Sequence, residues 1–142
     1  MSWILLAACA RAAPNPALPA EVLPLRMNGA TLRAYVADDP AEREQGLMGV
    51  TELGPDEGMV FVYPAPSARY FWMKDTPLPL SIAFCDATGK VVTLADMAPL
   101  NTTLTPSGAP VVYAVEANKG WFAAHEVHVG DTIVGLPGPS KR

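Results

Sequence analysis

Residues 70–86, which read YFWMKDTPLPLSIAFCD, decide how the chain folds. They form the most apolar and aromatic part of the sequence, and they are interrupted by Lys74-Asp75-Thr76 and by two prolines. An apolar segment that stops at such residues and resumes after Pro-x-Pro is typical of two strands joined by a corner. The sequence therefore predicts two central strands, over residues 70–73 and 81–85.

Short strands and tight turns are predicted on both sides of this stretch. Asn28-Gly29 separates two β-like segments, and this dipeptide is a strong hairpin signal because both turn residues must accept a positive φ. The predicted strands outside the central stretch cover residues 22–27, 30–36, 59–63, 90–94, 111–117, 127–129 and 132–134. We interpret the pattern as mainly β: a single compact antiparallel barrel or sandwich, jelly-roll-like, with two short helices.

The two helices are predicted at residues 41–47 and 121–125. Asp39 can cap the first, Pro40 suits its first position, and Glu42 stands where a capping-box carboxylate would. A glycine, Gly46 or Gly49, ends this helix.

Composition limits the class of protein. The chain has 142 residues, of which 50% are hydrophobic and 17% are charged, so one domain with one core is expected. The net charge is -4 and no basic stripe is present, which argues against a nucleic-acid partner. The sequence contains no phosphate loop, dinucleotide fingerprint or zinc-finger spacing, so no cofactor is predicted.

The N-terminus suggests export. Residues 1–13 read as the remnant of a secretory leader, and Leu6-Ala7-Ala8-Cys9 resembles a bacterial lipobox. Lipidation of Cys9 and simple cleavage between Ala10 and Ala13 are both open. Residues 14–21 are then a linker, 22–134 the β-rich domain and 135–142 a flexible tail. We predict an exported protein, periplasmic or envelope-anchored, that meets the membrane only through a lipid anchor at Cys9.

Several motifs occur together in order. They are REQGLM (43–48), GMVF (58–61), FWMKDT (71–76), LSIAF (80–84), VEANKGWF (115–122) and VGD (129–131). Over residues 22–134 the chain resembles the bacterial and archaeal "domain of unknown function 192" family. The resemblance implies a small β-rich, jelly-roll or barrel-like domain, often exported, and it implies no established activity.

The chain departs from the family pattern at two positions. Asp75 stands where the family usually has asparagine, and Cys85 where it usually has an aliphatic residue. An aspartate cannot donate a hydrogen bond as an asparagine amide does, so a ligand contact made by that amide is in doubt here.

Four charged residues lie in apolar surroundings: Arg43, Lys74, Asp75 and Glu116. A buried charge must be paired or its pKa shifts. One interpretation is an internal ion pair, Lys74–Glu116 or Arg43–Glu116, that fixes the strand register. The other is a polar cluster that binds a small ligand. The candidate ligand-binding residues are Arg43, Lys74, Asp75, Thr76, Glu116 and Asn118.

Candidate metal, sugar-binding and thiol sites involve other residues. A Cu(I) site could be formed by the thioethers of Met48, Met59, Met73 and Met97, although methionine commonly fills irregular cores. His125 and His128 could bind a metal with Glu126 or Asp131, or lie on the surface. Trp72, Trp121, Tyr70 and Tyr113 could form a sugar-binding platform, or belong largely to the core. Cys85 is interpreted as a small buried residue rather than a catalytic thiol.

The sequence thus leaves three classes of function open. The first is a non-catalytic binding or accessory domain of the cell envelope, whose partner is a small polar or saccharide-like ligand or an envelope protein. The second is an envelope hydrolase that uses Asp75 and Glu116 as a carboxylate pair. The third is a metal-handling protein, with copper bound through the methionines.

Overall fold

The computed structural model describes residues 16–142, so the predicted leader and Cys9 lie outside the described residues. The strands are β1 (Val22–Met27), β2 (Ala30–Ala37), β3 (Glu57–Ser67), β4 (Tyr70–Phe71), β5 (Leu80–Cys85), β6 (Val91–Met97), β7 (Thr105–Pro106) and β8 (Val111–Asn118). The helices are α1 (Pro40–Gln45) and α2 (Trp121–Ala124). Among residues 16–142, no helix has the length and apolar character needed to cross a membrane.

One six-stranded sheet organises the domain, in the order β1-β2-β3-β8-β5-β6, and β4 and β7 form a small second sheet. The predicted hairpin is confirmed: Asn28 and Gly29 have φ values of 48° and 75° and join the antiparallel pair β1 and β2. β2 and β3 are parallel, and α1 lies in the connection between them. All other neighbours in the large sheet are antiparallel.

The large sheet is covered on both faces. One face packs with α2 and the segment after it, including Val127 and Ile133. The other face packs with the loop after α1 and with β4 and its flanks, including Leu47, Phe71 and Met73. Because β3, β8 and β5 are enclosed on both sides, they read as nearly continuous apolar runs rather than alternating ones.

The fold is sandwich-like, and the barrel alternative is wrong because the large sheet does not close. β1 and β6 remain edge strands of the large sheet, because the segment after α2 forms isolated bridges with its two sides, Arg26↔Val134 and Lys90↔Thr132, and no paired strand. The predicted strands at 127–129 and 132–134 are therefore absent as strands.

The central strand predicted over residues 70–73 is also wrong. Only Tyr70–Phe71 is extended, and it pairs with β7 in the small sheet. The Met73 N–H donates to the Asn101 carbonyl at 2.8 Å, and the Thr76 N–H turns back to the Met73 carbonyl at 3.1 Å. This turn takes the chain away from the strand direction and brings Lys74 and Thr76 to the edge of the sandwich.

The first helix begins as predicted. The Asp39 carboxylate accepts a hydrogen bond from the Glu42 N–H at 2.7 Å, and Pro40 occupies the first turn. The helix ends at Gln45, earlier than predicted, because Gly46 adopts a φ of 48° that few other residues accept. This turn directs residues 46–48 back over the sheet.

Candidate functional site

A cavity of about 450 Å³ lies between α1, the end of β3 and β4. Side chains from the loop after α1 and from the turn after β4 complete its wall, and Glu116 of β8 contributes from the large sheet. The lining residues that matter below are Arg43, Glu44, Phe61, Tyr63, Tyr70, Trp72, Lys74, Thr76 and Glu116.

Glu116 is the most unusual member of this lining. It pairs in register with Met59 of β3 and Ile82 of β5, so its side chain projects from the centre of the large sheet into an apolar face. Only 4% of the residue is exposed, and no residue from 16 to 142 gives its carboxyl group a hydrogen bond or an ion pair. Burial raises its pKa to about 8, so the carboxyl group is largely protonated at neutral pH.

Aromatic rings form the mouth of the cavity. Tyr70 is 62% exposed and Trp72 is 45% exposed, whereas Phe71 between them is buried. The alternation follows from the extended backbone of β4, which turns successive side chains to opposite sides. Lys74 follows on the same segment, with its Nζ 5.4 Å from the centre of the Trp72 ring.

Two arginines contact the ring of Tyr63, which also lines the cavity. The Arg69 guanidinium carbon lies 3.8 Å from the ring centre, and that of Arg43 lies 5.3 Å from it. Contacts of this kind stabilise both the cation and the ring position. They give the wall a fixed aromatic surface at the end of β3.

The predicted internal ion pairs do not form. Arg43 Nη1 donates to the Val62 carbonyl at 2.9 Å and to the Arg142 carbonyl at 3.0 Å, and Arg43 makes no ion pair with Glu116. Over residues 16–142, the salt bridge present joins Arg142 to Asp38 at 3.9 Å. Lys74 is exposed and has no carboxylate partner there.

Four of the six predicted ligand-binding residues line this one cavity: Arg43, Lys74, Thr76 and Glu116. Asp75 is not part of the lining; it is exposed, adopts a φ of 52°, and accepts the Gly49 N–H on its backbone carbonyl at 2.7 Å. Asparagine tolerates this left-handed conformation well, which gives a backbone reason for the family's preference there.

Asn118 also lies elsewhere. Its Nδ2 donates to the Gly54 carbonyl at 3.0 Å, which fastens the loop before β3 to the end of β8. Thr76 is buried in the cavity wall, and its hydroxyl donates to the Lys74 carbonyl at 3.0 Å. This bond stabilises the turn that presents Lys74.

The predicted aromatic platform divides into two pairs. Tyr70 and Trp72 meet at the cavity, whereas Tyr113 and Trp121 are buried in the other face of the sheet. The Trp121 ring is enclosed, and its Nε1 donates to Asp56 Oδ1 at 3.0 Å.

The candidate metal ligands do not form a site with oxygen, nitrogen and thiol donors. Over residues 16–142, no three His, Cys, Asp or Glu side chains converge. His125 Nδ1 lies 2.8 Å from the Trp121 carbonyl, and Met59, Met73 and Met97 are buried together in one hydrophobic face. Cys85 is buried, and burial raises its pKa to about 12, which suits the structural interpretation.

Tyr63 and Glu44 belong to the cavity but were not predicted. Tyr63 could have been found from the period of two in β3, because Met59, Phe61 and Tyr63 alternate with Val60 and Val62. Residues in register with Glu116 on β3 share its face. No signal in the sequence assigned Glu44, because an exposed glutamate in a helix is ordinary.

Comparison with known proteins settles the family. A family model for DUF192, described as "Uncharacterized ACR", matches residues 23–135. The chain belongs to the DUF192 family. The matched range coincides closely with the β-rich domain, and no curated protein is significantly similar to the chain.

Two crystal structures share the DUF192 fold of this chain. One is of a protein from Sinorhizobium meliloti 1021 described as a "putative transcription regulator", with a TM-score of 0.79, 32% identity, and coverage of 84% of this chain and 98% of its own. The other is of a protein of unknown function from Novosphingobium aromaticivorans DSM 12444, with a TM-score of 0.76, 32% identity, and coverage of 86% and 93%.

Proposed function

We propose that this DUF192 protein is a non-catalytic binding domain that takes a small polar, saccharide-like ligand into the cavity above Glu116. The observation that carries the proposal is the carboxyl group of Glu116, which lines the cavity on a nearly buried residue and has no hydrogen-bond partner among residues 16–142. Its oxygens are not among the fully enclosed unpaired atoms of the described residues, so they are open to the cavity. A ligand in the cavity can therefore form hydrogen bonds with this carboxyl group.

A ligand with hydroxyl groups suits the floor of the cavity. A protonated carboxyl group has one donor and remaining acceptor capacity, so it can bond to hydroxyls in both directions. Phe61 and Leu47 give the lining apolar surface beside Glu116, and Arg43, Glu44 and Lys74 add further polar groups. A cavity that combines apolar surface with placed polar groups is typical of small-molecule binding.

The aromatic mouth supports the same class of ligand. Tyr70 and Trp72 present exposed ring surface beside the cavity, and rings of this kind offer a large apolar face with a polar edge. A sugar ring has apolar faces of C–H bonds and a polar rim, so it can stack on Trp72 while its hydroxyls reach inward.

The hydrolase alternative is less well supported by the geometry. It pairs Asp75 with Glu116, and Asp75 is not among the residues that line the cavity. The second carboxylate that does line it is Glu44 of α1, so a two-carboxylate mechanism at this cavity would have to use Glu44. Turnover of aryl glycosides that is lost in both Glu116→Gln and Glu44→Gln would favour this enzyme.

We also propose that the protein acts after export, in the periplasm or attached to the envelope, because the apolar and small residues within 1–13 resemble a secretory leader. The crystal-structure neighbour described as a regulator does not lead us to propose DNA binding. The net charge of -4 does not favour binding to the polyanionic backbone of DNA.

A thermal-shift screen tests the binding proposal. The full chain is heated with neutral, acidic and amino sugars, because a ligand that binds only the native state must raise the melting temperature. We expect at least one sugar to raise the melting temperature of the parent. The shift should disappear in Trp72→Ala and Glu116→Ala.

Val129→Ala is the matched control, since Val129 is an exposed apolar residue outside the cavity. It should respond to the sugar as the parent does. An equal shift in all four proteins would place the ligand elsewhere, and no shift with any sugar would contradict the proposed function.

A further inference from the structure

The charges around the cavity are unequal in sign. Arg43 and Lys74 line it as cations, and Glu44 lines it as a carboxylate. Glu116 adds little negative charge at neutral pH, because burial keeps its carboxyl group largely protonated. With Glu116 protonated, the lining has two positive charges against one negative charge, which is an excess of one positive charge.

Lys74 is available to a ligand. Its ammonium group lies over the Trp72 ring and has no carboxylate partner among residues 16–142. Trp72 is also the ring on which a sugar would stack, so a group on the rim of that sugar would lie close to the ammonium. The Thr76 hydroxyl holds the Lys74 carbonyl, which fixes the backbone that presents this lysine.

Arg43 contributes a second cation to the lining. Its Nη1 is occupied by the carbonyl groups of Val62 and Arg142 and by the Ser140 hydroxyl, whereas Nε and Nη2 have no hydrogen-bond partner among residues 16–142. These bonds orient the guanidinium without neutralising it. A planar guanidinium with free N–H groups is well suited to a carboxylate.

We propose that the ligand of this cavity is an acidic saccharide, whose carboxylate is bound by Lys74 and Arg43 while its ring stacks on Trp72. The inference rests on the proposed function and specifies the chemical class of its ligand. A carboxylate is planar and suits a guanidinium with free N–H groups. A phosphate ester, which carries up to two negative charges near neutral pH, would be repelled more strongly by the Glu44 carboxylate in the same lining.

Four sugars with one ring type test the proposal by calorimetric titration of the full chain. Glucose is neutral, glucuronate has a carboxylate at carbon 6, glucose 6-phosphate has a phosphate at the same position, and glucosamine is a cation. We expect glucuronate to bind at least about tenfold more tightly than glucose, the usual size of one well-placed charged contact. Glucosamine should bind most weakly.

The lysine variants identify the cause of that preference. In Lys74→Met the ratio of glucuronate affinity to glucose affinity should fall toward one. Lys119→Met is the matched control, because Lys119 is exposed and outside the cavity, and it should keep the full ratio. Lys74 is exposed, so its replacement should leave the fold intact.

The outcomes separate the inference from the proposed function. Equal affinity for glucose and glucuronate, or a preference that survives in Lys74→Met, overturns the inference and leaves a neutral-sugar site standing. Tighter binding of glucose 6-phosphate or of glucosamine than of glucuronate overturns the choice of carboxylate. Failure of all four sugars to bind overturns both the inference and the saccharide-binding function.

Discussion

At the scale of the single residue, Glu116 makes the stability of the protein depend on pH. Its pKa is raised from 4.5 to about 8 by burial, so the folded state holds a proton that the unfolded state has released. Below about pH 4.5 both states are protonated. As the pH rises from there to about 8, the free energy of unfolding falls, by on the order of a few kcal/mol, and then levels off.

The variant Glu116→Gln removes this titration and keeps the shape of the side chain. We expect the variant to match the parent at pH 5 and to become increasingly more stable than the parent toward pH 8, as measured by urea unfolding. Glu44→Gln is the control, because it removes an exposed carboxylate from the same cavity. A stability difference between Glu116→Gln and the parent that is the same at every pH would show that Glu116 is not buried as described.

Glu116 also shows which properties of a single residue can be predicted from the sequence. A glutamate after five apolar strand residues is identifiable as a buried charge from the sequence alone. Its partner is not identifiable, because pairing depends on which side chains converge in three dimensions. The ion pairs with Arg43 or Lys74 were reasonable on charge, but Arg43 donates to the carbonyl groups of Val62 and Arg142, and Lys74 lies over an aromatic ring.

At the scale of the element, the contact between β3 and β8 depends on a glycine. A Cβ atom at Gly58 would lie 2.2 Å from the carbonyl oxygen of Glu116 and 3.0 Å from Leu32 Cδ2. The backbone of one strand would have to move, because the nearest atom is not part of a flexible side chain. We expect Gly58→Ala to lower the free energy of unfolding by about 2 kcal/mol or more.

Gly138→Ala is the matched control, since a Cβ atom at that position would meet nothing within 4 Å. Its stability in thermal unfolding should equal that of the parent within about 0.5 kcal/mol. The Gly58 variant should also weaken sugar binding, because Gly58 and Glu116 lie in adjacent pairs of the same strand register. A Gly58→Ala protein as stable as the parent would contradict the close approach of these strands.

Local signals predicted some elements well and others poorly. The Asn28-Gly29 hairpin and the Asp39 cap depend on neighbouring residues, so the sequence sufficed. The prediction of a strand over residues 70–73 was wrong because the apolar residues Phe71 and Met73 are buried beneath a turn and not within an extended strand. The parallel pairing of β2 with β3 has no local signature, since 19 residues separate Ala37 from Glu57 and the pairing is decided by the whole sheet.

At the scale of the whole molecule, the last residues connect distant parts of the domain. The sequence predicts a flexible tail at 135–142, yet the Tyr113 hydroxyl donates to the Pro137 carbonyl and the Ser140 N–H donates to the Tyr63 carbonyl at 3.1 Å. The Ser140 hydroxyl donates to the Asp38 carbonyl, and Arg43 donates to the Arg142 carbonyl at 3.0 Å. Turn-forming composition predicted mobility, whereas these contacts depend on side chains far away in the sequence.

Deletion of residues 137–142 tests whether this segment supports the cavity. It removes the four hydrogen bonds just described, each of a kind that contributes about 0.5–1.5 kcal/mol, together with the Arg43–Ser140 hydrogen bond and the Arg142–Asp38 salt bridge. The melting temperature should therefore fall by several degrees. Arg43 loses an acceptor that orients its guanidinium, and Tyr63 loses a backbone contact. Binding of an acidic sugar should therefore weaken by more than binding of a neutral one.

The point variant Lys141→Ala separates the backbone of the segment from its charge. It keeps every bond named above and removes one exposed cation, so it should melt and bind as the full chain does. If the deleted protein instead melts and binds like the parent, the segment is the flexible tail that its composition suggests, and Arg43 is oriented by β3 alone. If deletion lowers stability but leaves the sugar preference intact, the cavity is built without the chain end, and Lys74 suffices to select the carboxylate.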